Sequence, residues 1–179
     1  MGEKSRTVTN VVFAGLGGQG VLKASDILSE AAFRSGYDVK KSEIHGMSQR
    51  GGSVTSDVRF GSEVLSPMIP SGEADYLVAL DSTQVEPTRY LLREGGTLIA
   101  PEVFLKDGQD IADLDKDPNT PLERRNLNVA LLGVLSTCLD IGDDQWMAAL
   151  FANLAPKLHA VNQEVFQLGR EAGRSVRTR

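Results

Sequence analysis

The apolar run Val11-Val12-Phe13-Ala14 passes directly into Gly15-Leu16-Gly17-Gly18-Gln19-Gly20, and a segment of helical spacing follows with Val21, Ala24, Ile27, Leu28 and Ala31 on one face. Strand, glycine turn, helix is the opening unit of a parallel α/β sheet, and it restricts the fold more than any other stretch of the chain. Glycines there let the backbone turn sharply off a strand end and come close to a ligand, while N–H groups at the helix start point at an anion. Residues 15, 17 and 20 satisfy the dinucleotide pattern GxGxxG. A second glycine-rich run, His45-Gly46-Met47-Ser48-Gln49-Arg50-Gly51-Gly52-Ser53, belongs to no dinucleotide fingerprint and directs the reading elsewhere.

Residues 9–15 are predicted as a buried strand, 18–35 as a helix ended by Gly36, and 39–44 as a second, weaker strand. The second glycine-rich loop leaves the carboxyl end of that strand. Ligands in open α/β sheets bind outside strand carboxyl ends, so both loops are expected to line one crevice. Over 53–60 the period changes to two, with Val54, Ser56, Val58 and Phe60 on one side and Thr55, Asp57 and Arg59 on the other. Gly61-Ser62 then reads as a hairpin turn into Glu63-Val64-Leu65. Parallel grammar resumes with a strand at 76–80, a helix at about 84–93, Gly95-Gly96 and a strand at 97–100. The acidic, proline-punctuated stretch 101–121 is expected to be loop with one short strand, and the most mobile region. Helices follow at roughly 126–139, 143–153 and 157–171, with Asp143 as an N-cap.

The expected fold is therefore α/β: an open, mostly parallel Rossmann-like sheet with an antiparallel hairpin insertion, flanked by helices on both faces. With 179 residues, 41% of them hydrophobic, the chain suits one domain, with a core over about 7–172 and a frayed tail over 173–179. No apolar stretch is long enough for a membrane span and no signal-type block opens the chain, so a cytoplasmic protein without a membrane partner is expected. A formal charge of −5 and scattered basic residues argue against nucleic acid. Cys138, the single cysteine, is expected to be a small buried side chain; one thiolate cannot hold an iron–sulfur cluster, and two distant histidines make no zinc site. Redox metals used with this chain would belong to a partner.

Gly15, Gly17, Gly18, Gln19 and Gly20 could form only a tight connection, but four glycines in six residues exceed what a simple turn requires. A nicotinamide or flavin site would need an acidic residue near the end of the second strand, and Glu43 stands near that place. In the second loop, Arg50 can contact a phosphate or carboxylate in bidentate fashion, Ser48 and Gln49 supply neutral hydrogen bonds, and Gly51 and Gly52 allow close backbone approach. The plain alternative is an exposed arginine in a turn. His45 suits a ligand-orienting hydrogen bond better than acid/base work, because no nucleophile or orienting acid can be assigned to it; His159 reads as an ordinary helix residue. Asp81-Ser82-Thr83 reads as a strand end and helix cap able to touch a ligand, and Asn126 and Asn128 as local hydrogen-bonding residues. Asp107, Asp110, Asp113, Asp115 and Asp117 lack calcium-loop spacing and read as a solvated acidic surface.

GLGGQG at 15–20, HGMSQRGGSV at 45–54, Ser66-Pro67-Met68-Ile69-Pro70 before Glu73-Ala74-Asp75, NVALLGVLS at 128–136 and NQEVFQLG at 162–169 together resemble the gamma-type subunit of 2-oxoacid:ferredoxin oxidoreductases. Within that family the second loop looks most like the beta subunit of indolepyruvate ferredoxin oxidoreductase. The resemblance implies a subunit, inactive alone, of an enzyme that oxidatively decarboxylates a 2-oxoacid to acyl-coenzyme A. Thiamine diphosphate, magnesium and iron–sulfur clusters would reside on larger alpha-type or alpha/beta partner subunits, with ferredoxin reached through the complex; a homodimer is one form open to the isolated chain. Carried over by motif, Gly17, Gly18, Gln19 and Gly20 with His45, Ser48, Gln49, Arg50 and Gly51 would take coenzyme A, and no residue here would be catalytic. The rival readings are a self-contained NAD(P)- or flavin-binding oxidoreductase and a nucleotide-binding regulatory module.

Overall fold

In the computed structural model, which describes residues 8–45 and 51–177, five strands form one open sheet: β1 (Thr9–Leu16), β2 (Asp38–His45), β3 (Ser53–Gly61), β4 (Ala74–Ala79) and β5 (Leu92–Ile99), in the order β2-β3-β1-β4-β5. β3 runs antiparallel between β2 and β1, while β1, β4 and β5 are parallel, so only β3 opposes the common direction. β1 leads through α1 (Val21–Arg34) to β2 on one side, and β4 leads through the short α2 (Val85–Thr88) to β5 on the other. Right-handed crossovers in opposite directions put α1 and α2 on opposite faces. The expected α/β architecture is the observed one.

The larger core lies on the α1 face, where Val11, Phe13, Val58, Phe60 and Val78 meet α1 and the three C-terminal helices α3 (Leu127–Ser136), α4 (Asp143–Asn153) and α5 (His159–Arg177). Every residue of α3 is buried, as expected of a helix that is apolar all round. On the second face Val12, Ala14 and Leu77 are covered by Ile69 and by Leu91, just beyond α2. Among the described residues no helix is long and apolar enough to cross a membrane, and no three metal-ligating side chains cluster.

Several local expectations need correction. The antiparallel pairings are those of β3 with β2 and with β1, and residues 63–65 form no strand. Both edges of β3 are already taken by β2 and β1, so a further hairpin partner has nowhere to bond. Val64 tucks in instead, its N–H donating to Asp38 at 2.7 Å. The segment after β4 splits into a 3-10 turn (Ser82–Gln84), α2 and a second 3-10 turn (Arg89–Leu91). β5 begins earlier than expected, because Gly95 at φ 71° lets it bulge between the pairs Ala74–Leu92 and Tyr76–Thr97. Residues 101–121 hold 3-10 turns and no strand; in one of them Asp110 and Asp113 form a reciprocal capping box. Gly142, not Asp143, caps α4, and Asp143 pairs with Arg170 of α5. α5 continues to Arg177, past a buried Gly173. Cys138, half-buried beyond α3, is a free thiol.

The irregular segment that follows β3 is held by polar groups on the second face of the sheet. Arg59 donates to the carbonyls of Ser66 and Met68, each at 3.0 Å, and the Ile69 N–H donates to Asp57 at 3.0 Å. Burial pushes the Asp57 carboxyl above its ordinary value, with the Ile69 N–H and Arg59 only partly opposing it. A raised pKa means the native state binds this proton more tightly than the unfolded chain, so this group's contribution to stability falls as pH rises through that window. Asp57→Asn keeps an acceptor for Ile69 without the charge. Its thermal midpoint is expected to equal or exceed that of the parent at neutral pH, with the advantage disappearing in acid; a midpoint lower at every pH would contradict the sign.

Candidate functional site

The chain departs from β1 and β4 in opposite directions, and the crevice outside the carboxyl ends of these two neighbouring strands is where an open sheet accepts ligands. The 15–20 turn lies there. Gly15 is buried under α1, where an added Cβ would stand 2.7 Å from Val21 Cγ2 and 3.2 Å from Leu80 Cβ. Gly18 and Gly20 adopt φ of 91° and 83°, the left-handed region that costs other residues about 1–2 kcal/mol. Gly17 and Gly18 are exposed, and α1 begins at Gly20 without a side-chain cap or an acidic residue in its first turn. Such a helix start leaves its N–H groups to an outside acceptor.

The two glycine-rich loops meet. The Gly17 N–H donates to the Gly52 carbonyl at 3.0 Å, and β1 and β3 pair Leu16 with Ser53 at the same end of the sheet. Gly51, at φ 68°, is exposed beside it. His45 is the last residue of β2, opposite Val54. The His45 side chain, Ser48, Gln49 and Arg50 lie outside the described residues.

Gln19 braces the turn. Its Oε1 accepts the Leu16 N–H and its Nε2 donates to Asp81 Oδ2, each at 2.7 Å. Asp81, just past β4, also accepts from the Thr83 hydroxyl at 2.6 Å and the Thr83 N–H at 3.0 Å, the cap expected for it. Partial burial pushes this carboxyl upward, but the bonds from Thr83 and Gln19 outweigh it and hold the group below its ordinary value. It is an anion at neutral pH.

Two further braces connect parts of the chain that share no sequence signal. Asn128 Nδ2 in the first turn of α3 donates to the Gly20 carbonyl at 3.3 Å, across 108 positions, and an added Cβ on Gly20 would come within 2.5 Å of that nitrogen. Ser53 Oγ bonds the buried Gln84 at 2.7 Å, tying the exit of the second loop to the turn after β4. Asn126 stays local, as expected, bonding Pro121 and Glu123. His159 also serves structure, its ring stacked on Phe151 at 4.4 Å and a ring nitrogen 2.8 Å from the Leu154 carbonyl.

The crevice itself is built largely by residues 102–128. A hollow of about 460 Å³ is lined by Gly18, Gln19, Leu80, Leu127 and Asn128. It adjoins a hollow of about 740 Å³ bounded by Asp81, Thr83, Leu105 and Asp110; Gln19, Ile111 and Arg124 line both. Asp115, expected to be merely solvated, binds Arg124 at 2.5 Å. Glu43 pairs with Lys41 at 2.6 Å. Because β3 stands between β2 and β1, Glu43 is also two strand spacings, about 10 Å, from β1. A dinucleotide ribose contact of the ordinary kind does not fit that placement.

Fold and crevice define the class: an open α/β domain with a glycine turn at its switch point. A family model described as pyruvate ferredoxin/flavodoxin oxidoreductase matches residues 10–172, and the chain belongs to that family. Indolepyruvate oxidoreductase subunit IorB of Thermococcus kodakarensis is 32% identical over 93% of this chain and 96% of its own length. The keto/oxoacid ferredoxin oxidoreductase gamma subunit of Geobacter sulfurreducens shares the fold with a TM-score of 0.74 and 23% identity, covering 93% of this chain and 99% of that one. A 2-oxoglutarate:ferredoxin oxidoreductase of Magnetococcus marinus, solved with 2-oxoglutarate, coenzyme A and succinyl-CoA bound, superposes on 96% of this chain with a TM-score of 0.77 and 20% identity, over 32% of its own length. The resemblance to gamma-type subunits read from the motifs thus extends along nearly the whole chain.

Proposed function

We propose that the chain is the small subunit of a thiamine diphosphate-dependent 2-oxoacid:ferredoxin oxidoreductase, with indolepyruvate as the leading 2-oxoacid, and that it contributes coenzyme A binding and complex assembly. The observation that carries this reading is the near full-length likeness to an IorB subunit, in a chain bearing HGMSQRGGSV at 45–54. Thiamine diphosphate, magnesium and iron–sulfur clusters belong to the larger partner in this reading, which also passes electrons to ferredoxin. When bound, coenzyme A supplies the thiol that accepts the acyl group. Residues of this chain fit its phosphates: the uncapped start of α1, the exposed backbone of Gly18, and Lys23 in the first turn offer donors and positive charge without a competing side-chain acid. Arg50, one residue before the Gly51-Gly52 pair that meets Gly17, adds a guanidinium fork suited to phosphate.

Co-expression with a larger, cluster-bearing partner tests the assignment. The complex is expected to reduce ferredoxin with a 2-oxoacid and coenzyme A, and the isolated chain to do neither. In that complex Arg50→Ala is expected to raise the KM for coenzyme A by about tenfold or more, the worth of a charge-assisted hydrogen bond. The subunit should still co-purify with an unchanged melting temperature. Unaltered coenzyme A kinetics would remove Arg50 from the site.

A further inference from the structure

We propose that the switch-point crevice takes the uncharged pantetheine arm of coenzyme A, while the phosphates lie across Gly18 on the Lys23 side of the glycine turn. This rests on the reading that the chain binds coenzyme A, and it assigns the two chemically different halves of that ligand to two different surfaces. On one side of the turn lies a groove of about 340 Å³ lined by Leu16, Gly17, Gly20, Lys23 and Val54. On the other side lies the double hollow between the 15–20 turn and residues 102–128. Gly18 lines both the groove and the nearer hollow, and open space stands where its Cβ would be. A chain-like ligand can cross there over bare backbone.

Charge decides which end goes where. Asp81, Glu102, Asp107 and Asp110 wall the larger hollow, four carboxylates against the cations Lys106 and Arg124. The arginines beside it, Arg124 and Arg125, are already bound to Asp115 and Glu123. A phosphate placed among these carboxylates meets an excess of like charge. The same repulsion turns away a 2-oxoacid. Pantetheine carries no charge, and its hydroxyl and two amide N–H groups can donate to the carboxylates that repel a phosphate. Its methyl and methylene groups find Leu80, Ile111 and Leu127 on the walls. Pockets that combine apolar walls with a few aimed polar groups, at this size, are the ordinary form of a small-molecule site.

The two halves can be tested separately in the complex with the larger subunit, using pantetheine and 3′,5′-ADP as competitive inhibitors against coenzyme A. Ile111→Trp fills the crevice; Ala112→Phe, at an exposed position on its rim, does so with less demand on folding. Both are expected to raise the Ki of pantetheine and the KM of coenzyme A by roughly tenfold, about 1.4 kcal/mol, and to leave the Ki of 3′,5′-ADP within about twofold. Lys23→Ala is expected to do the reverse, weakening 3′,5′-ADP by about fivefold and sparing pantetheine. Crevice variants that weaken 3′,5′-ADP instead, or that spare pantetheine, overturn the assignment, as does a parent complex that pantetheine fails to inhibit. A parent complex with no use for coenzyme A is a different result, and refutes the underlying reading before any variant is made.

Discussion

Gly169→Ala is expected to destabilise the chain by about 3 kcal/mol, the upper end of ordinary overpacking, and to lower its thermal midpoint by roughly 10 °C. α5 crosses α3 with glycine against glycine: an added Cβ on Gly169 would fall on the Ala130 carbonyl, and one on Gly133 would fall on the Phe166 carbonyl. Each obstacle is helix backbone, which cannot rotate aside. The helices must separate, and α3 carries the Asn128 that holds the Gly20 carbonyl, so the glycine turn should loosen with them. Gly173→Ala on the same helix provides the control. Its nearest neighbour is the Thr137 side chain, which can change rotamer, so the loss there is expected to be clearly smaller. Thermal melts followed by circular dichroism compare the two, and equal losses would show that the crossing tolerates a methyl group.

Trp146→Ala is expected to cost about 3–5 kcal/mol, whereas Trp146→Phe should cost only about 1–2 kcal/mol. Trp146, on α4, is fully buried and its ring packs on Phe166 at 5.5 Å between centroids. The indole nitrogen, however, is buried without a hydrogen-bond partner among the described residues. A buried donor left unbonded contributes desolvation cost and nothing in return, so phenylalanine gives up ring volume but also removes that penalty. α4 packs on α1, the helix whose start forms the glycine turn, so the alanine variant should also impair binding there. Urea titration of both variants measures the difference. A phenylalanine variant as unstable as the alanine one would mean that the nitrogen is bonded after all.

How much of this was visible in the chain follows from the range of the interactions. β1 and α1 were legible because an apolar run, a glycine turn and a 3.6-residue period are all local, and each matched its element closely. The alternation over 53–60 correctly put Val58 and Phe60 on the core face and Asp57 on the other. The strand expected at 63–65 failed for a reason no local pattern contains, namely that β3 had no edge left to offer. Residues 101–121 were legible as irregular and acidic, but not as a wall of the crevice. Gln19 was named from its place in the motif, while its grip on Asp81, 62 positions away, came only with the fold.

The amino-acid order alone settled the α/β class, the glycine turn between β1 and α1, and the likeness to the gamma-type small subunits of oxoacid oxidoreductases, because these depend on short-range spacing and on motif chemistry. Tertiary structure alone decided that β3 enters between β2 and β1, that Gly17 bonds Gly52, that Asn128 holds Gly20, and that the acidic stretch faces the switch point. Each of these joins groups far apart in the chain, and which distant groups meet is set by how the helices and strands share one buried core rather than by any residue's neighbours in sequence.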